Sequence, residues 1–330
     1  MAIDARDKDL IGLLGDGRCH SGTELAERLG ISRAAVWKHI RGLEMLGLSV
    51  TALPGRGYRL LTPVEWLSEP TIRADLSPVA ADLLGALELY DVLDSTNSHL
   101  LLRAQQGVVT GTVCLAEYQR AGRGRIGREW ISPFGANLYL SLLWRFEDPA
   151  QISGLSLAVG VAVVRALQAL GLPGISLKWP NDLLWGGAKL GGILLEVAGE
   201  AHGRCVVVIG LGLNRHVPAS AAGAIDQAWT DLGRVGGSAP PGRNALVAAL
   251  LNELLPLSRD YSRDGLRPYL AEWRAAHAHT GQSATLLVGD VRIDGHIVDV
   301  TEEGLLLLKD EEGRLRQFAS GDVSLRVKST

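Results

Sequence analysis

Residues 117–130 read Glu-Tyr-Gln-Arg-Ala-Gly-Arg-Gly-Arg-Ile-Gly-Arg-Glu-Trp, with glycines at 122, 124 and 127 alternating with arginines at 123, 125 and 128. Glycine lets a backbone take positive φ and approach a ligand closely, and arginine brings a charged fork that matches carboxylate and phosphate oxygens. The run predicts an anion-handling loop, mobile when empty and ordered by an anionic ligand. A solvated basic loop has the same composition and stays open as the alternative. The stretch also satisfies GxGxxG after an apolar run at 112–116, but a dinucleotide site needs a helix to open at the third glycine. Pro133 and Gly135 stand where that helix would run, and no Lys-Ser or Lys-Thr follows Gly127 as a phosphate-binding P-loop requires.

Working outward, four further pieces accompany the loop: Asp94-Ser95-Thr96-Asn97 before it, Lys178-Trp179-Pro180-Asn181-Asp182 and Lys189-Leu190-Gly191-Gly192-Ile193-Leu194 after it, then Gly210-Leu211-Gly212-Leu213-Asn214. With the continuation through Ser132-Pro133-Phe134-Gly135-Ala136-Asn137-Leu138-Tyr139, this ordered set resembles the biotin protein ligases over nearly the whole chain. The resemblance implies biotin and ATP with Mg2+ as reactants, and a lysine on the biotin carboxyl carrier protein of acetyl-CoA carboxylase as acceptor. Biotin's carboxylate is a poor electrophile because oxide is a prohibitive leaving group. It is therefore activated as biotinyl-5'-AMP before the carrier amine attacks and AMP departs. Such chemistry needs positioning and positive charge more than a protein nucleophile.

The resemblance assigns Ser95, Thr96, Asn97, Gln119, Gly122, Arg123 and Gly124 to biotin, with Gly192 letting the backbone close on the acyl chain. Asp94-Ser95-Thr96-Asn97 also reads as a helix N-cap. Arg125, Arg128 and Lys189 are the catalytic cations that meet the carboxylate and phosphates; by composition alone Lys189 also suits a hairpin after Gly186-Gly187. Trp130 offers adenine a stacking face and Asn214 a paired donor and acceptor. Asp182 is the metal candidate, with a plain turn after Pro180 as the alternative. Repressor members often carry arginine where this chain has Ile126, which implies weaker retention of the adenylate.

Residues 1–64 read as a winged helix-turn-helix. An apolar face at Leu10, Ile11, Leu13 and Leu14 is followed by the capping-box spacing Ser21-Gly22-Thr23-Glu24, a turn at Gly30, and a second helix capped by Ser32. In that helix Val36, Ile40 and Leu43 fall on one face, leaving Arg33, Trp37, Lys38 and Arg41 elsewhere, and Pro54-Gly55-Arg56-Gly57 makes a wing. Residues 32–61 hold five basic side chains (Arg33, Lys38, Arg41, Arg56, Arg59) and one acid (Glu44), a local +4 within a chain of net charge −3. The sign suits operator DNA; a protein-packing module is the alternative. The resemblance here is to the biotin operon repressor module and implies a homodimer formed when the adenylate orders the loop.

The 330 residues suit two or three domains. With 47% hydrophobic content and no long apolar run, a globular, cytoplasmic, non-membrane protein is expected. Cys19, Cys114 and Cys205 lie far apart without a CxxC, which predicts core thiols and no zinc site; His277 and His279 are read as surface residues at a helix end. The fold class is α+β. A mixed-sheet ligase domain spans 65–276, with strands near 89–93, 112–116, 137–144, 176–179, 191–197 and 205–211 and helices near 71–84, 95–105, 151–170, 243–259 and 265–276. The Gly/Pro-rich run 236–242 is a loop within it. An SH3-like β barrel occupies 277–330. A lipoate or octanoate ligase, a ligase without regulatory DNA binding, and a ligand-sensing transcription factor are the rival readings.

Overall fold

The computed structural model describes residues 3–199, 203–235, 239–289, 291–321 and 323–327. Three helices, α1 (Ala5–Leu14), α2 (Gly22–Leu29) and α3 (Arg33–Met45), and the hairpin β1 (Val50–Leu53) and β2 (Gly57–Leu60) form the winged helix. Ser21 and Ser32 cap α2 and α3 by accepting from the amides of Glu24 and Ala35. The expected capping box at Ser21 is only half made, because the Glu24 carboxylate turns to His20 Nδ1 at 3.0 Å. Val36, Ile40 and Leu43 are buried as their spacing requires.

This module does not close its core alone. Phe134, from the segment after the glycine-arginine loop, is 1% exposed and sits in the winged-helix core, with Trp66 edge-on at 5.5 Å. The Phe134 amide donates to Leu46 O at 3.0 Å. The linker is held as firmly. Glu65 accepts from the backbone amides of Arg243 and Asn244 at the start of α9 (Arg243–Asp264). Burial works to raise the Glu65 carboxyl, and those amides outweigh it, holding it below the usual carboxylate range. Leu67 N donates to Glu117 Oε1 at 2.8 Å, and the other Glu117 oxygen pairs with the fully buried Arg243.

Helices α4 (Glu69–Ala74) and α5 (Pro78–Leu83) replace the single helix expected over 71–84, since Ser77 and Pro78 start a new one. Then come β3 (Ala86–Leu93), α6 (Thr96–Gln105), β4 (Thr112–Gln119), β5 (Leu138–Phe146), α7 (Leu155–Ala169), β6 (Ser176–Lys178), β7 (Asp182–Trp185), β8 (Ala188–Gly199), β9 (Cys205–Leu213), the short α8 (Ala219–Ala222), α9 and α10 (Leu270–Ala276). The sheet order is β3-β4-β5-β9-β8-β7-β6, parallel only between β3 and β4. Strand alternation sorts β5 cleanly. Leu138, Leu140, Leu142, Trp144 and Phe146 join the large core with residues of α7 and α9, while Leu143 faces Leu100 of α6. The sheet is thus covered on both faces, and α6 marks the face that carries the site. Strand β7 and helix α8 were not expected; of the Gly/Pro-rich run, 239–242 is loop and 236–238 lie outside the described residues.

Strands β10 (Ser283–Val288), β11 (Val291–Val300), β12 (Leu306–Asp310), β13 (Leu315–Phe318) and β14 (Val323–Val327) make an antiparallel sheet of order β13-β12-β11-β10-β14. Its apolar residues join the large core of the seven-stranded sheet, and Trp179 Nε1 donates to Gly304 O at 3.1 Å. His277 corrects the surface assignment: it is 9% exposed, stacks on Trp273 at 4.4 Å, and burial pushes its imidazole down to about 4. Cys114 and Cys205 are buried, as expected. Among the described residues no helix is long and apolar enough to cross a membrane.

Candidate active site

A cavity of about 400 Å³ opens on the α6 face of the sheet and brings together every motif singled out above except the winged helix. Its floor is glycine. Gly192 on β8 pairs with Gly212 on β9, and Gly210 lies two residues from Gly212 on the same face. A Cβ on Gly210 would stand 2.2 Å from Asn97 Oδ1, and one on Gly212 2.5 Å from the Trp130 ring. Both positions therefore exclude any side chain while their neighbours stay in place.

One end of the cavity is a chain of uncharged hydrogen-bonding groups. Thr96 donates from N and Oγ1 to Gln119 Oε1 at 2.9 and 3.2 Å, and Gln119 Nε2 donates to Ser132 Oγ at 3.1 Å. Ser141 Oγ lies 2.7 Å from Thr96 Oγ1 and 2.5 Å from Asn97 Oδ1. Asn97 Nδ2 donates to Leu194 O and to Glu196 Oε2, at 3.2 and 2.9 Å. Arg123 closes this end through a 2.6 Å ion pair with the same Glu196 oxygen. Ser95 lines the cavity and also caps α6. Gly122 packs against Trp130 O and Gln119, and Gly124 N donates to Arg128 O at 2.7 Å. The loop that follows Gly127 is not helical.

The other end is cationic. Lys178 and Asp182 are cross-strand partners on β6 and β7. The β7–β8 ladder shifts register between Leu183 and Leu184, pairing Asp182 with Gly192 but Leu184 with Lys189. That bulge puts Lys189 on the same face as Gly192, although three positions separate them and strict alternation would oppose them. Lys189 Nζ then stands 2.8 Å from Asp182 Oδ1 and 5.6 Å from the Trp130 ring centre. Burial pushes the Lys178 ammonium down; Asp182 opposes this, while Lys189 and Arg128 add to it. Among the described residues neither Lys178 nor Arg128 makes an ion pair, so positive charge exceeds negative here. Arg125 donates to Asn181 Oδ1 at 3.1 Å and to the carbonyls of Ser320 and Gly321, the latter at 2.7 Å. It thus ties the loop to the C-terminal sheet, and a phosphate contact would require it to turn.

Trp130 lies over Gly212 and Gly192, so Gly192 faces an indole and Lys189 rather than open space. Its Nε1 is buried and has no hydrogen-bond partner among the described residues. The Asn214 amide is already engaged, donating to Thr230 O at 3.1 Å with Asn137 Nδ2 at 3.5 Å from its oxygen. Its partner Thr230 follows the segment 224–229, which lines the cavity and carries no motif that a reading of the sequence could find. Ser141 and Glu196 were missed for the same reason.

A magnesium ion carried by a triphosphate needs one or two protein oxygens. Asp182 offers a single carboxylate already shared with Lys189, which fits such an ion and not a resident one. The three-carboxylate-or-histidine grouping found among the described residues, Asp4, Asp7 and His39, is at the cap of α1 and away from the cavity. On α3 and the wing, Ser32, Arg33, Trp37, Lys38, Arg41 and Arg56 are all exposed, Trp37 at 58% with the Arg41 guanidinium 6.0 Å from its ring. Arg41 pairs with Glu44 at 2.9 Å; Arg33, Lys38, Arg56 and Arg59 make no ion pair among the described residues.

Family models match in three places: the biotin/lipoate A/B protein ligase family over residues 89–214, a helix-turn-helix domain over 6–59, and the biotin protein ligase C-terminal domain over 279–326. The chain is 40% identical to the bifunctional ligase/repressor BirA of Escherichia coli over 96% of each chain. It is 32% identical to that of Bacillus subtilis over 96% of this chain and 98% of the relative. The solved biotin protein ligase of Aquifex aeolicus in complex with biotin and ATP superposes with a TM-score of 0.62 at 28% identity, covering 74% of this chain and 99% of that one. With family models over the ligase, helix-turn-helix and C-terminal segments and a bifunctional ligase/repressor 40% identical over 96% of its length, the chain belongs to the biotin protein ligase family.

Proposed function

We propose that this protein joins biotin to ATP as biotinyl-5'-AMP, releasing pyrophosphate, and transfers the biotinyl group to a lysine of the biotin carboxyl carrier domain of acetyl-CoA carboxylase. One observation carries the reading: a cavity uncharged and hydrogen-bonding at one end and cationic at the other, of a size for one small acid and part of a nucleotide. A cyclic urea with two N–H donors and one acceptor suits the Ser95–Thr96–Asn97–Gln119 end, where Gln119, Thr96 and Ser141 orient one another. The acid's carboxylate then points past Gly192 toward Lys189. There Lys189, Lys178, Arg128 and a reoriented Arg125 stabilise the charge that builds on the α-phosphate as the carboxylate attacks it and pyrophosphate leaves. Magnesium, when bound with ATP, would neutralise phosphate charge, with Asp182 supplying its protein oxygen. Trp130 stacks the adenine, and its unpartnered indole N–H gains an acceptor from the ligand. Asn214 acts by anchoring Thr230, at the end of the 224–229 segment that stands beside the base. In the second step the carrier lysine, as free amine, attacks the acyl carbon, and the bond to AMP breaks.

We further assign residues 1–64 to operator binding, 65–276 to catalysis and 277–330 to ATP and carrier engagement, in a cytoplasmic protein. Exposed Arg33, Lys38, Arg56 and Arg59 support phosphate contacts, with Ser32, Trp37 and Arg41 toward the bases. A biotinyl-AMP-dependent homodimer repressing biotin synthesis genes fits this arrangement. On the β7 side of β8, residues 195–199 pair with no strand among the described residues, which supports an edge open to a second copy or to the carrier. The test is exchange of labelled pyrophosphate into ATP with biotin, lipoate or octanoate supplied in turn. Exchange with biotin alone, lost in Lys189→Ala, is expected. Exchange with lipoate or octanoate would make it a ligase of another acid, and none with any acid would favour a ligand-sensing repressor. Adenylate-dependent, salt-dependent binding to the chain's own promoter region separates a repressor from a ligase without regulatory DNA binding.

A further inference from the structure

Glu196 belongs to none of the motifs, yet it holds two residues that line the uncharged end, Asn97 and Arg123. Regular pairing of β8 with β9 from Gly191 to Gly199 places Glu196 on the same face as Gly192 and Leu194. One of its oxygens accepts from both Asn97 Nδ2 (2.9 Å) and Arg123 Nη2 (2.6 Å). Its side chain is 23% exposed and that of Arg123 40%, so the pair is partly withdrawn from water. Ser95, Thr96, Asn97 and Gln119, which line this end, and Ser132 and Ser141, which bond to them from behind, carry no charge.

We infer that Glu196 is a specificity-determining residue: by cancelling Arg123 it leaves this end of the cavity neutral, so a carboxylic acid seats only with its carboxylate toward Lys189. The inference rests on the ligase reading above. An uncancelled arginine fork is itself a good carboxylate site. Without Glu196 the cavity would attract an anion at both ends, and an acid bound in reverse puts its carboxylate far from Lys189 and the α-phosphate. Reverse binding is unproductive, and it has a kinetic signature: kcat and KM fall by the same factor. A purely structural loss of the Asn97 contact would instead raise KM.

Octanoate is the sensitive probe, since it has no urea to fix its direction. In Glu196→Gln, which keeps an acceptor for Asn97, octanoate is expected to inhibit biotin-dependent pyrophosphate exchange about tenfold more tightly than in the wild type, with kcat and KM for biotin falling together. Glu196→Asp, which keeps the charge, should restore the wild-type pattern. The converse variant, Arg123→Ala, leaves Glu196 uncancelled and should weaken octanoate while making octylamine the stronger inhibitor by about tenfold. An octanoate affinity in Glu196→Gln within twofold of wild type, or a rise in KM for biotin, would overturn the inference, as would no gain for octylamine in Arg123→Ala. All are ratios to the wild type; a wild type that fails to exchange with biotin would refute the ligase reading instead.

Discussion

Gly212→Ala should disable nucleotide use while leaving the fold intact. A Cβ at Gly212 would stand 2.5, 2.7 and 2.8 Å from three atoms of the Trp130 indole. Ordinary contact begins near 3.5 Å, so the ring must retreat by about 1 Å. A Cβ rising from the β9 floor pushes the ring outward, into the cavity itself. Overpacking of this kind costs about 1–3 kcal/mol, and a 1 Å misplacement of a group that positions a reactant can cost about 100-fold in rate. Gly192→Ala is the matched control: there the Cβ would meet Trp130 at 3.4 Å and the flexible end of Lys189 at 3.5 Å, which a few tenths of an ångström relieve. In pyrophosphate exchange, Gly212→Ala should raise KM for ATP about 10- to 100-fold, and Gly192→Ala should change it much less. Indole fluorescence would report the displaced ring. A Gly212→Ala enzyme whose KM for ATP stays within twofold of wild type would refute both the stacking role of Trp130 and the reason given for the glycine.

Removing Arg243 strands the buried Glu117 carboxylate with, among the described residues, the Leu67 amide as its remaining partner. Arg243→Met is therefore expected to cost about 3–5 kcal/mol in denaturant unfolding, with much of it recovered on adding Glu117→Gln; a loss below about 1 kcal/mol would show the pair to be dispensable. His277 is neutral when folded, its value lowered from 6.5 to about 4. The unfolded chain takes up the proton first, so this contribution is complete above pH 6.5 and is lost as pH falls toward 4. At about 1.4 kcal/mol per unit it amounts to at most about 3.5 kcal/mol. His277→Phe should flatten stability between those pH values, and an unchanged acid limb would assign the loss elsewhere. Ile126 has a φ of 55° and is 56% exposed, a costly conformation for a β-branched residue. Ile126→Arg is expected to slow dissociation of the adenylate, measured by chase with unlabelled biotin; unaltered release would mean that the missing charge is immaterial.

Much of the fold was readable because its signals are local. Val36, Ile40 and Leu43 fall on one side of α3 by spacing alone, and the apolar run of β5 announces a strand covered on both faces. The failures share a cause in tertiary partners. Glu24 has the right spacing to complete a capping box, but His20 offers it a better partner. His277 follows a helix and looks exposed until Trp273 stacks against it. For the site, the glycine-arginine loop, Lys178, Asp182 and Lys189 were legible as motifs. The bulge that turns Lys189 to the pocket face was not, because a register shift belongs to two strands at once. Ser141, Glu196 and the 224–229 segment were invisible for a simpler reason: a serine in a strand or a glutamate near a strand's end has no meaning until the opposite element arrives.

The shared packing around Phe134 bears on how such a protein can be cut. A chain severed at the linker near residue 64 would not yield a clean enzyme. Phe134, Tyr118 and Trp66 would lose the helices that now cover them, and a greasy stub would stand at the base of the glycine-arginine loop. The Leu46 carbonyl that receives the Phe134 amide would be gone as well. A stand-alone ligase made from this sequence would need a polar replacement at Phe134 before its solubility, or its kinetics, could be taken as those of the catalytic half.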